Sequence, residues 1–303
     1  MINRRTLLAA SAAVFAFTGT AFADWKAAYP ELVFAVVPAE NASGVTERFE
    51  PWMAYLSKEL GVKVTLRIAN DYAAVIEGQK AGNIHIGGYG PSSFVRAFTV
   101  TDGGVEPFAT NINPDKSTGY YSVAYVKADA AGAKLEDYKG KNLCLVDPNS
   151  TSGFNVPMFA MSGLGIDPKT FFANVVNAGS HENVITAIAA GTCDIGFNWW
   201  NSEEDTNLMR MDRKGMAKAA DYKIVFKSEL IPGSPDAFLK SLPDDLKAVI
   251  RKAYEEAPTK DKAAFDTLSD GKWLAWAPVT LDTYKVTFEL QKFVDDLRKK
   301  QGS

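Results

Sequence analysis

The segment "DPNSTSGFNVP", Asp147–Pro157, follows the apolar run "KNLCLV" and gathers Ser150, Thr151 and Ser152 where a strand should become a helix. A helix start exposes unpaired N–H groups and a partial positive charge, and phosphate-like anions bind there readily. Each hydroxyl adds a donor, Gly153 would let an anion approach the backbone, and Pro157 suits the opening of a helix. A plain Ser/Thr cap is the alternative. One hydroxyl suffices for a cap, so three in succession favour an oxyanion cradle.

Other segments add to this chemistry. His181 stands between a strand ending near Gly179 and the helix "ENVITAIAAG". A lone histidine is more often structural than functional, but this one shares the strand-end layer of Ser150–Ser152 and can donate to the same anion. Ser92 and Ser93 in "YGPSS" repeat the pattern and read first as helix caps. Tyr72, Tyr89 and Tyr120 offer hydroxyls and ring faces, although tyrosines pack more often than they ligate. His85 alternates inside a strand and reads as packing.

These residues need a scaffold that brings strand ends together. "LVFAVVP" (32–38), "VKVTLRIA" (62–69) and "IHIGGYG" (84–90) read as strands, separated by helical patterns at 47–60 and 71–82. Asp71 caps the second of these helices and Gly82 stops it, and "PSSFVRAFTV" opens a third helix. This βαβαβ order predicts a mostly parallel sheet with helices on both faces. The long strand "GYYSVAYVKAD" (119–129) then leaves the unit. A second αβ unit follows, with strands at 141–147, 173–179 and 193–200 and helices at 152–163 and 182–190. "YKIVFKS" (222–228) returns, and 236–303 reads as helical. The expected division is a leader at 1–23, one lobe of 24–126 plus 227–303, and a second lobe of 127–226. Two lobes joined by two crossings make a hinge around a cleft. In open parallel sheets ligands bind beyond the carboxyl ends of the strands, which selects Asp71-Tyr72, "YGPSS", "PNSTSG", "GSHE" and "NWWN" (198–201).

Composition narrows the function further. "MINRRTLLAASAAVFAFTGTAFA" has a basic start, an apolar core and an Ala-Phe-Ala end, so it reads as an export signal cleaved after Ala23. Arg4-Arg5 also fits a twin-arginine signal. Its loss removes two arginines and no acid, moving the net charge from −3 to −5. A mildly acidic chain without a basic stripe is a poor nucleic-acid binder, and the expected location is periplasmic. Cys144 and Cys193 are either small buried apolar residues or a disulfide across neighbouring strands. Two cysteines and the separated His85 and His181 give no zinc-ligand spacing; no metal and no cofactor are expected.

"DYAAVIEG", "GYYSVAYVKAD", "DPNSTSGFNVP", "NAGSHE", "CDIGF" and "SELIPGSP" occur in this order. Together they resemble the phosphonate-binding proteins of bacterial ABC importers, within the phosphate/phosphite/phosphonate solute-binding group, over about 30–290. The resemblance implies an α/β, two-lobed periplasmic binding fold (type II-like) that delivers its ligand to an inner-membrane permease. It implies that Ser150, Thr151, Ser152 and His181 grip the phosphonate oxygens and that Tyr72 and Tyr120 close over the ligand. Two positions depart from the aminoethylphosphonate binders of the group, which hold the amine with a Glu seven residues after the third-strand Asp and an Asp in the "IPGDP" turn. Here those positions are Asn201, seven after Asp194, and Ser234. A buried ammonium needs a compensating charge, so a ligand without an amine is expected, unless a shift of two or three residues brings in Glu203 or Glu204.

An enzyme is the competing class, with Ser150 and His181 as a hydrolase pair acting on phosphate esters. The sequence has no P-loop, no G-x-S-x-G elbow and no metal-ligand cluster, and a helix-start serine without an oriented base is no activated nucleophile. A ligand-presenting sensor module would have the same fold and site.

Overall fold

The computed structural model describes residues 25–300, so the expected leader lies outside the described residues. Two six-stranded mixed sheets form its framework. The strands are β1 (Glu31–Val36), β2 (Lys63–Arg67), β3 (Ile86–Gly88), β4 (Val105–Ile112), β5 (Tyr121–Lys127), β6 (Asn142–Leu145), β7 (Asn174–Asn177), β8 (Ile195–Ser202), β9 (Asp205–Thr206), β10 (Tyr222–Lys227), β11 (Asp236–Leu239) and β12 (Ala275–Pro278). The first sheet runs β12-β4-β11-β3-β1-β2. The second runs β10-β5-β8-β6-β7, with β9 on β8. The chain therefore passes between the sheets twice, from β4 to β5 and from β10 to β11.

The βαβαβ expectation is met at β1, β2 and β3, whose pairings are parallel. Asn41 caps the Ala42–Leu60 helix by accepting from Gly44 N, and Gly61 ends it in the left-handed region. Asp71 caps the Tyr72–Lys80 helix in the same way, through Ala74 N.

The sheet is not mostly parallel, however. β11 lies antiparallel between β3 and β4, and β12 lies antiparallel on β4. This corrects the helical reading of 236–303 and adds β4, which the periodicity did not reveal. β11 and β12 are four residues each, Pro107 lies inside β4, and Pro278 ends β12. Such segments have too little local pattern to declare themselves and become strands through distant partners.

Packing ties the frame together. Under the first sheet, the Trp52 ring meets Tyr254 and Trp276 at 5.0 and 6.0 Å, and Phe108 stacks on Phe238 at 4.6 Å. Val294, on the Lys285–Lys300 helix, is fully buried among side chains of the second sheet, while Arg96 of the Pro91–Val100 helix donates to Asp295 of that last helix at 2.6 Å. The C-terminal helix thus packs on both halves.

Cys144 of β6 and Cys193, just before β8, form a disulfide. They close a segment of 49 residues, for which chain entropy alone gives about 4 kcal/mol. Cys144→Ala/Cys193→Ala is expected to lower the unfolding free energy by about 2–4 kcal/mol, read from urea melts beside the oxidised wild type. An unchanged midpoint would show that the bridge contributes nothing to stability.

Candidate functional site

Ser150 ends the loop after β6, Thr151 and Ser152 open the helical turn that follows, and all three are buried. Ser150 is the cap: its Oγ accepts the Gly153 N–H at 3.1 Å. The next turn, Thr151–Asn155, is a π-helix, closed by Asn155 N–H to Ser150 O at 2.9 Å, and it leads into the α-helix Val156–Gly163. Pro157, second in that α-helix, needs no N–H there. π-turns inside helices often mark functional sites, and this one replaces the ordinary first turn expected from 152. Gly153 has a different reason from the one its position suggested. A Cβ there would lie 2.3 Å from Val146 Cγ2, so glycine is required by packing on the strand end.

The other half of the molecule reaches this turn directly. Ser92 N–H donates to Thr151 Oγ1 at 2.8 Å. Ser92 and Ser93 do not cap their helix: the cap is Gly90, with Pro91 as the first helical residue, and Ser93 Oγ donates back to Gly90 O at 2.9 Å. Proline at the helix start removes one N–H that a serine would otherwise serve. Ser92 Oγ is buried and has no partner among the described residues.

His181 opens the His181–Ala189 helix behind its cap, Ser180. Its N–H donates to Ala39 O at 3.1 Å, a second contact between the halves. Its Nδ1 is buried without a partner among the described residues. Burial pushes its pKa down to about 3, so the imidazole is neutral at neutral pH and brings a donor rather than a charge. His85 is structural: Nδ1 accepts the Val33 N–H at 2.9 Å and the ring meets Tyr29 edge-on.

Tyr72, Tyr120, Ser150–Ser152, His181, Asn201 and Ser234 all line one cavity of about 190 Å³. The Tyr72 hydroxyl interacts with Ser150, and that of Tyr120 with Thr151, Ser152 and Ser234. Burial pushes Tyr120 up to about 12, so it remains a neutral donor. Tyr89 also lines the cavity, but its hydroxyl donates inward to Gln79 Oε1 at 2.8 Å. Asn201 is held by its own donation to Asp205 Oδ2 at 2.6 Å. Glu203 and Glu204 do not enter the cavity: both are exposed, and Glu204 pairs with Lys272 at 3.3 Å.

Ser150 and His181 are not set up as a nucleophile and its base among the described residues. Ser150 Oγ accepts from Gly153 N–H, and His181 Nδ1 has no partner among the described residues. Among the described residues no cluster of three or more His, Cys, Asp or Glu could hold a metal, and no helix is long and apolar enough to cross a membrane. The arrangement is a buried ring of neutral donors beside a helix start, which suits holding an oxyanion.

The family described as "ABC transporter, phosphonate, periplasmic substrate-binding protein" matches residues 34–284. This chain belongs to that family. It is 34% identical over 246 residues to the phosphate-import protein PhnD of Mycolicibacterium smegmatis, covering 75% of each chain. It is 33% identical over 254 residues to the phosphonates-binding periplasmic protein of Escherichia coli, covering 82% of this chain and 71% of that one. Its fold is similar to that of a solved binding-protein component of an ABC phosphonate transporter from Pseudomonas aeruginosa. There the TM-score is 0.77 at 27% identity, over 87% of this chain and 86% of the other. Family and fold together make this a binding protein of an ABC importer for phosphorus oxyanions rather than an enzyme.

Sequence reasoning missed three cavity residues with strong chemistry. Arg48 and Arg210 line the wall. So does Asp236, the first residue of β11, which accepts from the Tyr254 hydroxyl at 2.8 Å. None falls in a strand-end motif of the parallel units, and only the antiparallel insertion of β11 brings Asp236 there. Burial pushes the Asp236 carboxyl up to about 7, the Tyr254 bond opposing it only in part. A carboxyl whose folded pKa is raised stabilises the fold below its unfolded pKa and loses that contribution as pH rises towards 7. The amount is about 4 kcal/mol. His181 acts in the opposite sense, losing stability as pH falls from 6.5 towards 3. Asp236→Asn should therefore gain stability relative to the wild type between pH 5 and pH 8, read as the difference in urea midpoints. A constant difference across that range would contradict the assignment.

Proposed function

We propose that this protein captures a phosphonate, or a related phosphorus oxyanion such as phosphite or phosphate, between two closing lobes and delivers it to an ABC permease. Ser150, Thr151, Ser152 and His181 donate to the phosphorus-bound oxygens. Tyr72 and Tyr120 close over them, and Asn201 and Ser234 meet the rest of the ligand. The observation that carries this reading is the convergence of hydroxyl and imidazole donors from both halves on one buried helix start. The lobes are taken as 24–126 plus 227–303 and 127–226. The second-sheet strands β6–β10 span 142–227, in keeping with a second lobe there, while β5 (Tyr121–Lys127) pairs in the same sheet and argues for a first boundary before Tyr121. The leader is taken as cleaved after Ala23 on export to the periplasm. The curated relatives bear on the ligand: one is named for phosphate import and one for phosphonates.

Calorimetry with phosphate, phosphite, methylphosphonate and aminoethylphosphonate tests this. Each lost donor to a charged ligand costs about 1.5–3 kcal/mol, so Ser150→Ala/Thr151→Ala/His181→Ala should weaken the best of these ligands by at least about 100-fold. Undiminished affinity would sink the assignment. Among these ligands aminoethylphosphonate should bind weakly, because Asn201 and Ser234 supply no charge for its amine and Asp236 readily takes a proton instead. Tight aminoethylphosphonate binding would overturn that part.

A further inference from the structure

The cavity is larger than a phosphorus headgroup needs. Its 190 Å³ is about an order of magnitude above the roughly 10–15 Å³ that one water requires. The wall beyond the donor ring carries Arg48, Arg210, Asn111, Trp199, Trp273 and Trp276. Among the described residues that line it, the one carboxyl group is that of Asp236.

Both arginines are anchored from behind. Arg48 donates from Nε to Glu40 Oε1 at 2.6 Å and from Nη1 to Leu268 O at 2.8 Å. Arg210 donates from Nε to Asp270 Oδ2 at 2.6 Å, its Nη1 lies 3.6 Å from Glu40 Oε1, and its guanidinium sits over the Trp199 ring at 5.1 Å. These contacts use only part of the five N–H donors of each guanidinium. Glu40 and Asp270 do not line the cavity. Glu40 also pairs with Lys214 at 3.1 Å, and Asp270 with Arg213 at 3.2 Å. Four cations thus meet Glu40, Asp270 and the more distant Asp205, whose charge also acts on Arg210. The cluster keeps a positive excess, and Arg48 and Arg210 are its members that face the cavity. Trp276 adds an indole Nε1–H that is buried without a partner among the described residues.

We infer that this wall reads a second acidic group on the ligand: the preferred substrates are phosphonates whose short organic tail ends in a carboxylate, held by Arg48 and Arg210 over the tryptophan floor. The inference rests on the phosphorus-oxyanion reading above and specifies its tail. Planar guanidinium groups match a carboxylate bidentately, whereas an ammonium would meet like charges.

Titration of the wild type with phosphonoacetate, propylphosphonate and methylphosphonate, followed by calorimetry, tests this without any variant. Phosphonoacetate should bind at least about tenfold tighter than propylphosphonate, a tail of similar length without the charge. Arg48→Gln and Arg210→Gln should each narrow that ratio towards one. Propylphosphonate or methylphosphonate binding as tightly as phosphonoacetate to the wild type would overturn the inference while leaving the oxyanion reading in place. Failure of all three to bind, together with phosphate and phosphite, would overturn both.

Discussion

Tyr120 and Ile231 exchange two backbone hydrogen bonds, Tyr120 N–H to Ile231 O at 3.0 Å and Ile231 N–H to Tyr120 O at 2.8 Å. Each residue belongs to one of the two crossings between the sheets, so this single bridge zips the crossings together. The approach is close enough to dictate composition. A Cβ on Gly119 would lie 2.7 Å from Ile231 O, and one on Gly233 would lie 2.0 Å from Thr118 O. The same short segments carry Tyr120 and Ser234 into the cavity. Hinge and site are therefore one piece of backbone, and a change in the angle between the halves moves ligand-facing side chains directly.

Contacts between the halves fall into two kinds. Near the donor ring they are hydrogen bonds: Ser92 N–H to Thr151 Oγ1, His181 N–H to Ala39 O, and Asn41 N–H to Glu182 Oε2 at 2.8 Å. Farther along the cavity wall they are ionic. Burial alone would raise the Glu40 pKa, but Arg48, Arg210 and Lys214 outweigh it and hold the carboxylate below its ordinary range. Burial would likewise lower Arg210, and Glu40 and Asp270 more than offset it. Buried ion pairs add little net stability over apolar packing, yet losing one partner leaves a costly unpaired charge. Such a network favours one relative placement of the halves, because it is satisfied only there. Closure in a binding protein needs that property, since the ligand supplies only a differential interaction between open and closed states.

Local signals in the sequence were reliable where the structure is local. The Asp71 cap and the parallel β1–β3 unit follow from short-range pattern, as does the helix start after "DPNSTSG". They were misleading where the partner is distant. Asp236–Leu239 is strand only because β3 and β4 flank it, so a run read as helical became a central strand. Ser92 and Ser93 looked like caps because serine caps helices by local bonding, but Pro91 opens the helix and leaves Ser92 to face the other half.

The sequence by itself determined the donor chemistry. Three adjacent hydroxyls at a strand end, a histidine about thirty residues on, and tyrosines at the other strand ends and on a crossing are properties of residue type and of parallel α/β topology. It could not decide what else faces the ligand. Arg48 lies in the middle of a long helix, Arg210 follows the end of β8 and β9, and Asp236 opens an antiparallel insertion. Only the tertiary structure brings them to one wall, because long-range strand pairing and the meeting of the two halves fix their positions. It also decided that Cys144 and Cys193 are bonded, since parallel β6 and β8 are neighbours although their cysteines are 49 residues apart.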